Sequence, residues 1–240
     1  MKARGGKAIY GASVGILMLE ARFPRILGDM GNAGTWDFPV LYRVVRDASP
    51  ERVVRRRAEG LLPAFLEAAR ELAADGADGI ATNCGFLSLY QEELAEAVSV
   101  PVASSSLMQV PAVNALLPPG KRAGVLTISG STLTADHLAK AGVPEGTPIG
   151  TTEGGREFTR VILENEPEMD VAAAEADNVE AALQLKSNHP ELGALVLECT
   201  NMTPYAAAIR TATGLPVFSM TSFVNWMHSA LSPRRHRLES

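Results

Sequence analysis

The sequence predicts an α/β fold made of two similar units, each with a mostly parallel sheet flanked by helices. Short apolar runs rich in β-branched residues alternate with longer helical stretches, which is the pattern of parallel strands covered by helices. The stretch of sequence around one cysteine is repeated around a second cysteine in the other half of the chain. A linker rich in Pro and Gly at residues 117–121 separates the two units.

The repeat is defined by an alignment of Cys84 with Cys199 that needs no gap. Each cysteine follows an apolar run and precedes an amphipathic stretch and a second short apolar run. The alignment pairs identical residues, which are Tyr90 with Tyr205, Ala97 with Ala212, Pro101 with Pro216, Val102 with Val217, and Ser104 with Ser219. One thiol in each copy suggests two facing half-sites, which suit the transfer of a proton from one face of a carbon to the other.

The first unit is predicted to contain alternating strands and helices and one irregular segment. Its short apolar runs predict strands at residues 15–19, 40–45, 77–82 and 101–103. The longer stretches predict helices at residues 51–74, 87–98 and 107–116. Residues 23–39 are rich in Gly and Pro, so no regular element is expected there.

The second unit repeats this alternation. Its apolar runs predict strands at residues 123–128, 147–152, 193–197 and 215–219. Helices are predicted at residues 132–141, 170–187, 202–213 and 222–230. Because a strand and a helix follow Pro216 as they follow Pro101, the last segment is expected to pack back on the first unit. The predicted boundaries are therefore residues 1–118 plus 216–240 for lobe one, and residues 119–215 for lobe two.

The composition is that of an ordinary soluble globular protein, with 46% apolar and 20% charged residues. The net charge of −5 argues against a nucleic-acid surface, which would need a basic patch. The apolar run at residues 12–19 is too short for a membrane span and lacks the layout of a signal peptide. We therefore expect a cytoplasmic protein with reduced thiols and with neither nucleic acid nor membrane as a partner. The sequence does not decide whether the protein forms a homo-oligomer.

Both cysteines are predicted to lie at the carboxyl edge of a parallel sheet, where ligands bind, because each follows a strand and precedes a helix. Free N–H groups at a helix start lower the pKa of a thiol from about 8.5 towards neutrality, and they can also hold a carboxylate. Cys84 and Cys199 are therefore candidate acid/base groups, and the alternative is that each is a small buried apolar residue. No metal site is expected, because no ligand spacing links the cysteines to the histidines, which are His137, His189, His228 and His236.

Two further polar features leave alternatives open. Arg25, within the Gly-rich segment, could pair with a substrate carboxylate or lie on the surface. The three serines at residues 104–106 could line the site or cap the helix that follows them.

The residues around the cysteines resemble those of a known family. Residues 82–85 (Thr-Asn-Cys-Gly) and 198–201 (Glu-Cys-Thr-Asn), each after an apolar strand, are similar to the two cysteine motifs of the aspartate/glutamate racemase superfamily. That superfamily also holds hydantoin racemases, maleate isomerases and arylmalonate decarboxylases. The resemblance implies two pseudo-symmetric lobes with the active site in the cleft between them, no cofactor, and Cys84 and Cys199 as opposed acid and base. It implies that a substrate carboxylate is bound by residues beside the cysteines and after the first strand of lobe two, namely Asn83, Gly85, Thr200, Asn201, Ser129 and Thr127.

These features predict a cofactor-independent racemase or epimerase that acts at a carbon next to a carboxylate. The expected substrate is a small carboxylate, such as the amino acids aspartate or glutamate or a related acid. Glutamate racemases follow the second cysteine with Thr-His, whereas this chain has Thr200 and Asn201, so the substrate stays open. The alternatives are a maleate-isomerase-like or decarboxylase-like member of the same superfamily, or a two-lobed binding protein without catalysis.

Overall fold

The apolar runs form two parallel sheets of four strands each in the computed structural model, which describes residues 5–233. The first sheet has the order β2-β1-β3-β4, with β1 at Val14–Leu19, β2 at Val40–Val45, β3 at Gly79–Thr82 and β4 at Val102–Ala103. The second has the order β6-β5-β7-β8, with β5 at Arg122–Thr127, β6 at Ile149–Thr151, β7 at Leu192–Leu197 and β8 at Val217–Phe218. The recurrence of one strand order confirms the α/β fold and its two similar lobes.

The central strands are largely apolar because both of their faces are buried. Every residue of β1 and β3 is buried, whereas most residues of the edge strand β2 are only partly covered. Such mainly apolar runs are typical of parallel sheets that carry helices on both sides. Those helices are α1 (Leu62–Asp75), α2 (Gln91–Ala97), α3 (Val110–Leu116), α4 (Ala135–Lys140), α5 (Phe158–Leu163), α6 (Val171–Asn188), α7 (Ala206–Thr213) and α8 (Met220–Leu231). Within residues 5–233, none of the helices has the length and apolar character needed to cross a membrane.

The long helix predicted over residues 51–74 is wrong in its first part. A single turn of π-helix spans Glu51–Arg55, and α1 begins only at Leu62. Between them Arg57, Ala58 and Gly60 have φ angles of 52°, 56° and 71°, which no right-handed helix accommodates. Gly60 favours this left-handed backbone, and the proline in the first turn of α1 favours a helix start there.

The predicted boundary at residue 216 misplaces one strand. β8 pairs with β7 in the second sheet, although residues 216–240 were expected in lobe one. The helix that follows, α8, packs on the first sheet, because Met220, Val224 and Met227 share a buried cluster with side chains of β1 and β3. The last helix of the first lobe packs on the other sheet in the same way, because α3, which follows β4, contacts β5 of the second sheet. The lobes thus exchange their last helices, and the remaining predicted boundaries stay a prediction.

Candidate active site

The loops that follow β3 and β7 meet at a small cavity between the two sheets. The cavity has a volume of about 20 Å³, which is room for about one water molecule. Both cysteines line it, together with Glu198 and Asn201. The rest of the wall is mainly apolar and includes Leu19, Phe23, Val54, Phe86, Ile162 and Leu163. A substrate larger than a water molecule therefore requires the lobes or their loops to part.

Cys84 is held at the end of β3 by the hydroxyl of Thr82. That hydroxyl donates to the Ser104 carbonyl at 2.6 Å and accepts from the Cys84 N–H at 3.4 Å. A six-residue 3₁₀ turn, Gly85–Tyr90, follows the cysteine directly. Burial raises the pKa of the Cys84 thiol to about 12, and the negative charge of Glu198 adds to this effect. Backbone N–H groups of the turn and the Arg25 guanidinium oppose it.

Cys199 occupies the matching place after β7. It precedes the 3₁₀ turn Thr200–Tyr205, and its Sγ lies 3.6 Å from Asn201 Oδ1. Burial raises the pKa of Cys199 well above its usual value, with further contributions from Glu198 and from Cys84. The contribution of Cys84 means that the two thiols are close enough to influence each other's ionisation.

The expectation that both thiols have a lowered pKa is wrong. It assumed that a helix start would dominate the electrostatics of each cysteine. Each cysteine instead precedes only a short 3₁₀ turn, and each is buried away from water. Loss of hydration disfavours the thiolate, and a neighbouring carboxylate disfavours it further.

Glu198 is the site residue that the sequence analysis did not single out. Its side chain is fully buried, and Oε2 accepts a hydrogen bond of 2.7 Å from the Thr127 hydroxyl. Among residues 5–233, Oε1 has no hydrogen-bond partner. Burial raises the pKa of Glu198 to about 7, against the opposing hydrogen bonds from Thr127 and the Ile128 N–H. This carboxyl therefore titrates near neutral pH beside both thiols.

Two contacts related by the repeat join the cysteine loops. The Thr200 hydroxyl donates to the Asn83 carbonyl at 2.5 Å, so the residue after one cysteine contacts the residue before the other. The equivalent contact pairs Gly85 with Glu198, because a Cβ on Gly85 would overlap both Glu198 Oε1 and the Glu198 carbonyl oxygen. Only glycine leaves room for this carboxylate.

The Gly-rich segment, residues 23–39, places an ion pair beside the loop of the second cysteine. Asn201 Nδ2 donates to Asp29 Oδ2 at 2.5 Å, and Asp29 Oδ1 accepts from Arg25 Nη1 at 2.9 Å. The Arg25 guanidinium lies 4.7 Å above the ring of Phe23, which lines the cavity. Its other terminal nitrogen, Nη2, is buried and lacks a hydrogen-bond partner among the described residues. Of the two alternatives for Arg25, the structure favours a place beside the site.

The remaining predicted binding residues have other neighbours. Asn83 lines the cavity, but its Oδ1 accepts from the Leu19 N–H at 2.8 Å. The hydroxyl of Ser129 donates to Glu153 Oε1 at 2.7 Å, and Thr127 holds Glu198. Neither of these hydroxyl residues lines the cavity, and neither does Thr200. The roles assigned from the sequence to all eight residues stay predictions.

Polar contacts between the lobes involve residues that neighbour the cavity lining in the chain. Arg55, next to the cavity residue Val54, forms an ion pair of 2.7 Å with Glu164, next to Leu163. The Arg22 N–H donates to Asn165 Oδ1 at 2.6 Å beside it. Both partners of the ion pair are about half exposed, with 44% and 51% of the side-chain surface accessible, so the pair is accessible to salt.

Metal ligands are not clustered at this site. Within the described part of the chain, no group of three or more His, Cys, Asp or Glu side chains could hold a metal ion. The expectation of chemistry without a metal or cofactor stays a prediction.

A family model described as Asp/Glu/hydantoin racemase matches residues 44–227. Among curated proteins, the dimethylsulfoniopropionate lyase of Durusdinium sp. clade D is 27% identical, over 86% of this chain and 71% of that protein. Dimethylsulfoniopropionate lyase 3 of Emiliania huxleyi (strain CCMP1516) is 30% identical, over 91% of this chain and 60% of that protein. The superfamily suggested by the cysteine motifs is thus confirmed.

Solved structures share the fold at low sequence identity. Unliganded arylmalonate decarboxylase superposes with a TM-score of 0.59 at 17% identity, over 94% of each chain. Allantoin racemase from Klebsiella pneumoniae superposes with a TM-score of 0.62 at 17% identity, over 95% of this chain and 97% of its own. These similarities show the two-lobed architecture alone.

Proposed function

Because this chain belongs to the Asp/Glu/hydantoin racemase family, we propose that it is an enzyme that uses a cysteine to remove a proton from the carbon next to a carboxylate, and that the reaction ends in elimination. The observation that carries the proposal is one cavity lined by a thiol from each lobe and by a buried carboxyl, one oxygen of which has no hydrogen-bond partner among the described residues. The curated relatives named as dimethylsulfoniopropionate lyases favour a lyase over the amino-acid racemase expected from the sequence.

Dimethylsulfoniopropionate fits this chemistry. The thiolate takes a proton from the carbon next to the carboxylate, and the C–H electrons form a C=C bond. The electrons of the C–S bond leave with sulfur as neutral dimethyl sulfide, and acrylate remains. The thiol then returns the proton to solvent. No oxidant, reductant or cofactor is needed to balance the reaction.

The raised thiol pKa is compatible with this role. A thiolate whose pKa is raised is a stronger base than an ordinary one, although little of it is present at neutral pH. A cationic substrate favours ionisation of the thiol, because a nearby positive charge stabilises the thiolate. Binding and generation of the base are therefore coupled in this proposal.

Racemisation is the second candidate, and the pair of thiols is the observation that favours it. A racemase needs one acid and one base on opposite faces of a carbon, whereas an elimination needs a single base. Cys84 and Cys199 belong to different lobes and influence each other's ionisation. An amino acid or a hydantoin would be the substrate in that case.

One experiment distinguishes the candidates. The purified protein is incubated in D2O with chelator and dimethylsulfoniopropionate, and dimethyl sulfide is measured by gas chromatography and acrylate by NMR. Aspartate, glutamate, hydantoins and allantoin are tested in parallel for deuterium exchange. Equal amounts of sulfide and acrylate support the lyase, and exchange into an amino acid or hydantoin without elimination supports the racemase.

The cysteine variants test the assignment of the base. Cys84→Ser and Cys199→Ser are compared with parent protein at matched folding. At least one replacement should reduce turnover about a hundredfold or more, because a serine hydroxyl is a far weaker acid than a thiol. A racemase needs both cysteines, whereas a lyase keeps activity in one of the two variants. Parental turnover in both variants would refute cysteine catalysis.

A further inference from the structure

We infer that Glu198 is the counter-charge for a methylated cationic group of the substrate, so that the site selects carboxylates that carry an onium centre. This inference rests on the proposed function for the position of the substrate. It adds the chemical nature of the group at the end of the substrate opposite the carboxylate. It makes Glu198 a specificity-determining residue.

Glu198 lines the cavity with a carboxyl group whose two oxygens differ in their contacts. Oε2 is fixed by the Thr127 hydroxyl, whereas the buried Oε1 has no partner among residues 5–233. Oε1 packs against Gly85, which has no side chain to displace it. A buried carboxylate without a compensating charge is costly, so a bound group that brings a positive charge next to it is favoured.

No cation of the described protein compensates this carboxylate. Glu198 takes part in none of the ion pairs between described residues, and its hydrogen bonds come from a hydroxyl and a backbone N–H. The groups around it are the two thiols, and Asp29 lies behind Cys199. Arg25 acts on Cys84, but its charge is paired with Asp29. The compensating positive charge is therefore left for the ligand to supply.

The cavity wall favours a methylated onium over a primary ammonium group. The side chains of Phe23, Phe86 and Leu19 line the site and suit the apolar methyl groups of an onium, although the Phe23 ring already carries the Arg25 guanidinium on one face. An ammonium group would bring three N–H donors into this wall, and most of them would lack an acceptor. A sulfonium or a trimethylammonium group carries the charge without any donor.

The position of the carboxylate end follows from the same charges. A second carboxylate placed at Glu198 would be repelled by it, so dicarboxylates such as aspartate and glutamate are disfavoured there. The unpartnered Nη2 of Arg25 is the available donor for the single carboxylate of the ligand. The carbon between the two ends then lies near the thiols.

The test compares two ligands of the same shape. 3-(Trimethylammonio)propionate and 4,4-dimethylpentanoate differ only in the positive charge at the branched atom, and glutarate supplies a dicarboxylate. Dissociation constants are measured by calorimetry at pH 8. We expect the parent protein to bind the onium about tenfold or more tightly than its neutral isostere, as expected for one charge pair in a partly buried site.

Glu198→Gln should remove this preference and leave binding of the neutral ligand within about twofold, since Gln keeps the shape of the side chain. Glu96→Gln, an exposed residue of α2, is the matched control and should keep the preference. The parent protein gives a second measurement without any substitution: at pH 5 Glu198 is protonated, so its preference for the onium should fall towards that of Glu198→Gln.

An equal preference in the parent and in Glu198→Gln, or tighter binding of glutarate than of the onium, would overturn the inference. Ligand binding needs no turnover, so the outcome is independent of the lyase assay. A preference that depends on Glu198 in a protein that releases no dimethyl sulfide would refute the proposed lyase and keep this inference. Release of dimethyl sulfide by a protein whose onium preference is unchanged in Glu198→Gln would support the proposed lyase and refute this inference.

Discussion

Replacing Glu198 by Gln should change how the stability of the protein depends on pH. Burial raises the pKa of this carboxyl from 4.5 to about 7. The folded state therefore holds the proton more tightly than the unfolded state does. For such a group stability is complete below the unfolded pKa and decreases as pH rises to the folded pKa. The affected window is pH 4.5 to about 7.

The size of the effect follows from this interval. At about 1.4 kcal/mol for each pH unit, ionisation of Glu198 should cost about 3 kcal/mol of unfolding free energy by pH 8. His137 acts in the opposite direction, because burial and the charge of Arg57 lower its pKa to about 4. Stability is therefore also lost as pH falls from 6.5 to about 4, and the two groups partly cancel in the parent protein.

The assay is urea unfolding at half-unit steps from pH 5 to pH 8, for the parent, Glu198→Gln and the control Glu96→Gln. The difference between parent and Glu198→Gln removes the contribution of His137, which both proteins share. This difference should change by about 3 kcal/mol across the series. The parent should become less stable relative to Glu198→Gln as pH rises. A constant difference would refute a buried carboxyl that ionises near neutral pH.

Three further outcomes are expected. Thr200→Val should lower the free energy of unfolding by about 1 kcal/mol in urea titrations, because it removes the hydrogen bond between the cysteine loops; an unchanged midpoint would contradict this. Arg25→Lys should raise KM for a carboxylate substrate about tenfold with a smaller change in kcat, because a planar donor is lost, and equal losses in both constants would place Arg25 elsewhere. Arg55→Ala should speed ligand association in stopped-flow mixing, and the parent should approach that rate as salt weakens the ion pair with Glu164; a rate insensitive to both changes would show that this contact does not control access.

The sequence was sufficient for the architecture because parallel strands leave a simple signal. The buried strands β1, β3, β5 and β7 appear as short, mainly apolar runs, and the repeat around Cys84 and Cys199 indicates that the lobes are alike. The helix α5 was missed because it spans six residues, Phe158–Leu163, too few for a clear period. Its place matters, because Ile162 and Leu163 line the cavity.

The sequence was less informative about the site, because the decisive properties arise between the lobes. Burial raises the pKa of both thiols, and Glu198, which belongs to the other lobe from Cys84, adds to the effect, so no local motif records it. A signal for Glu198 was nevertheless present. The ungapped alignment pairs it with Asn83, so the two copies differ in charge at the position before the cysteine. An acidic residue at the end of a buried strand is unusual and marks a functional candidate.

The charge asymmetry between the copies bears on the choice between elimination and racemisation. A racemase must exchange the roles of its two thiols in the reverse reaction, which requires similar energies for a thiolate on either side. Glu198 raises the pKa of both thiols, but its surroundings on the two sides differ. It directly precedes Cys199 in the chain, whereas it packs against Gly85 in the loop of Cys84. Among the two thiols and Glu198, ionisation of any one group opposes ionisation of the others. A bound onium relieves this opposition at Glu198, and its departure as a neutral sulfide restores it. Binding of such a substrate therefore favours ionisation of the site, and formation of the neutral leaving group removes that electrostatic stabilisation. This change in charge favours a one-way elimination over a symmetric proton exchange.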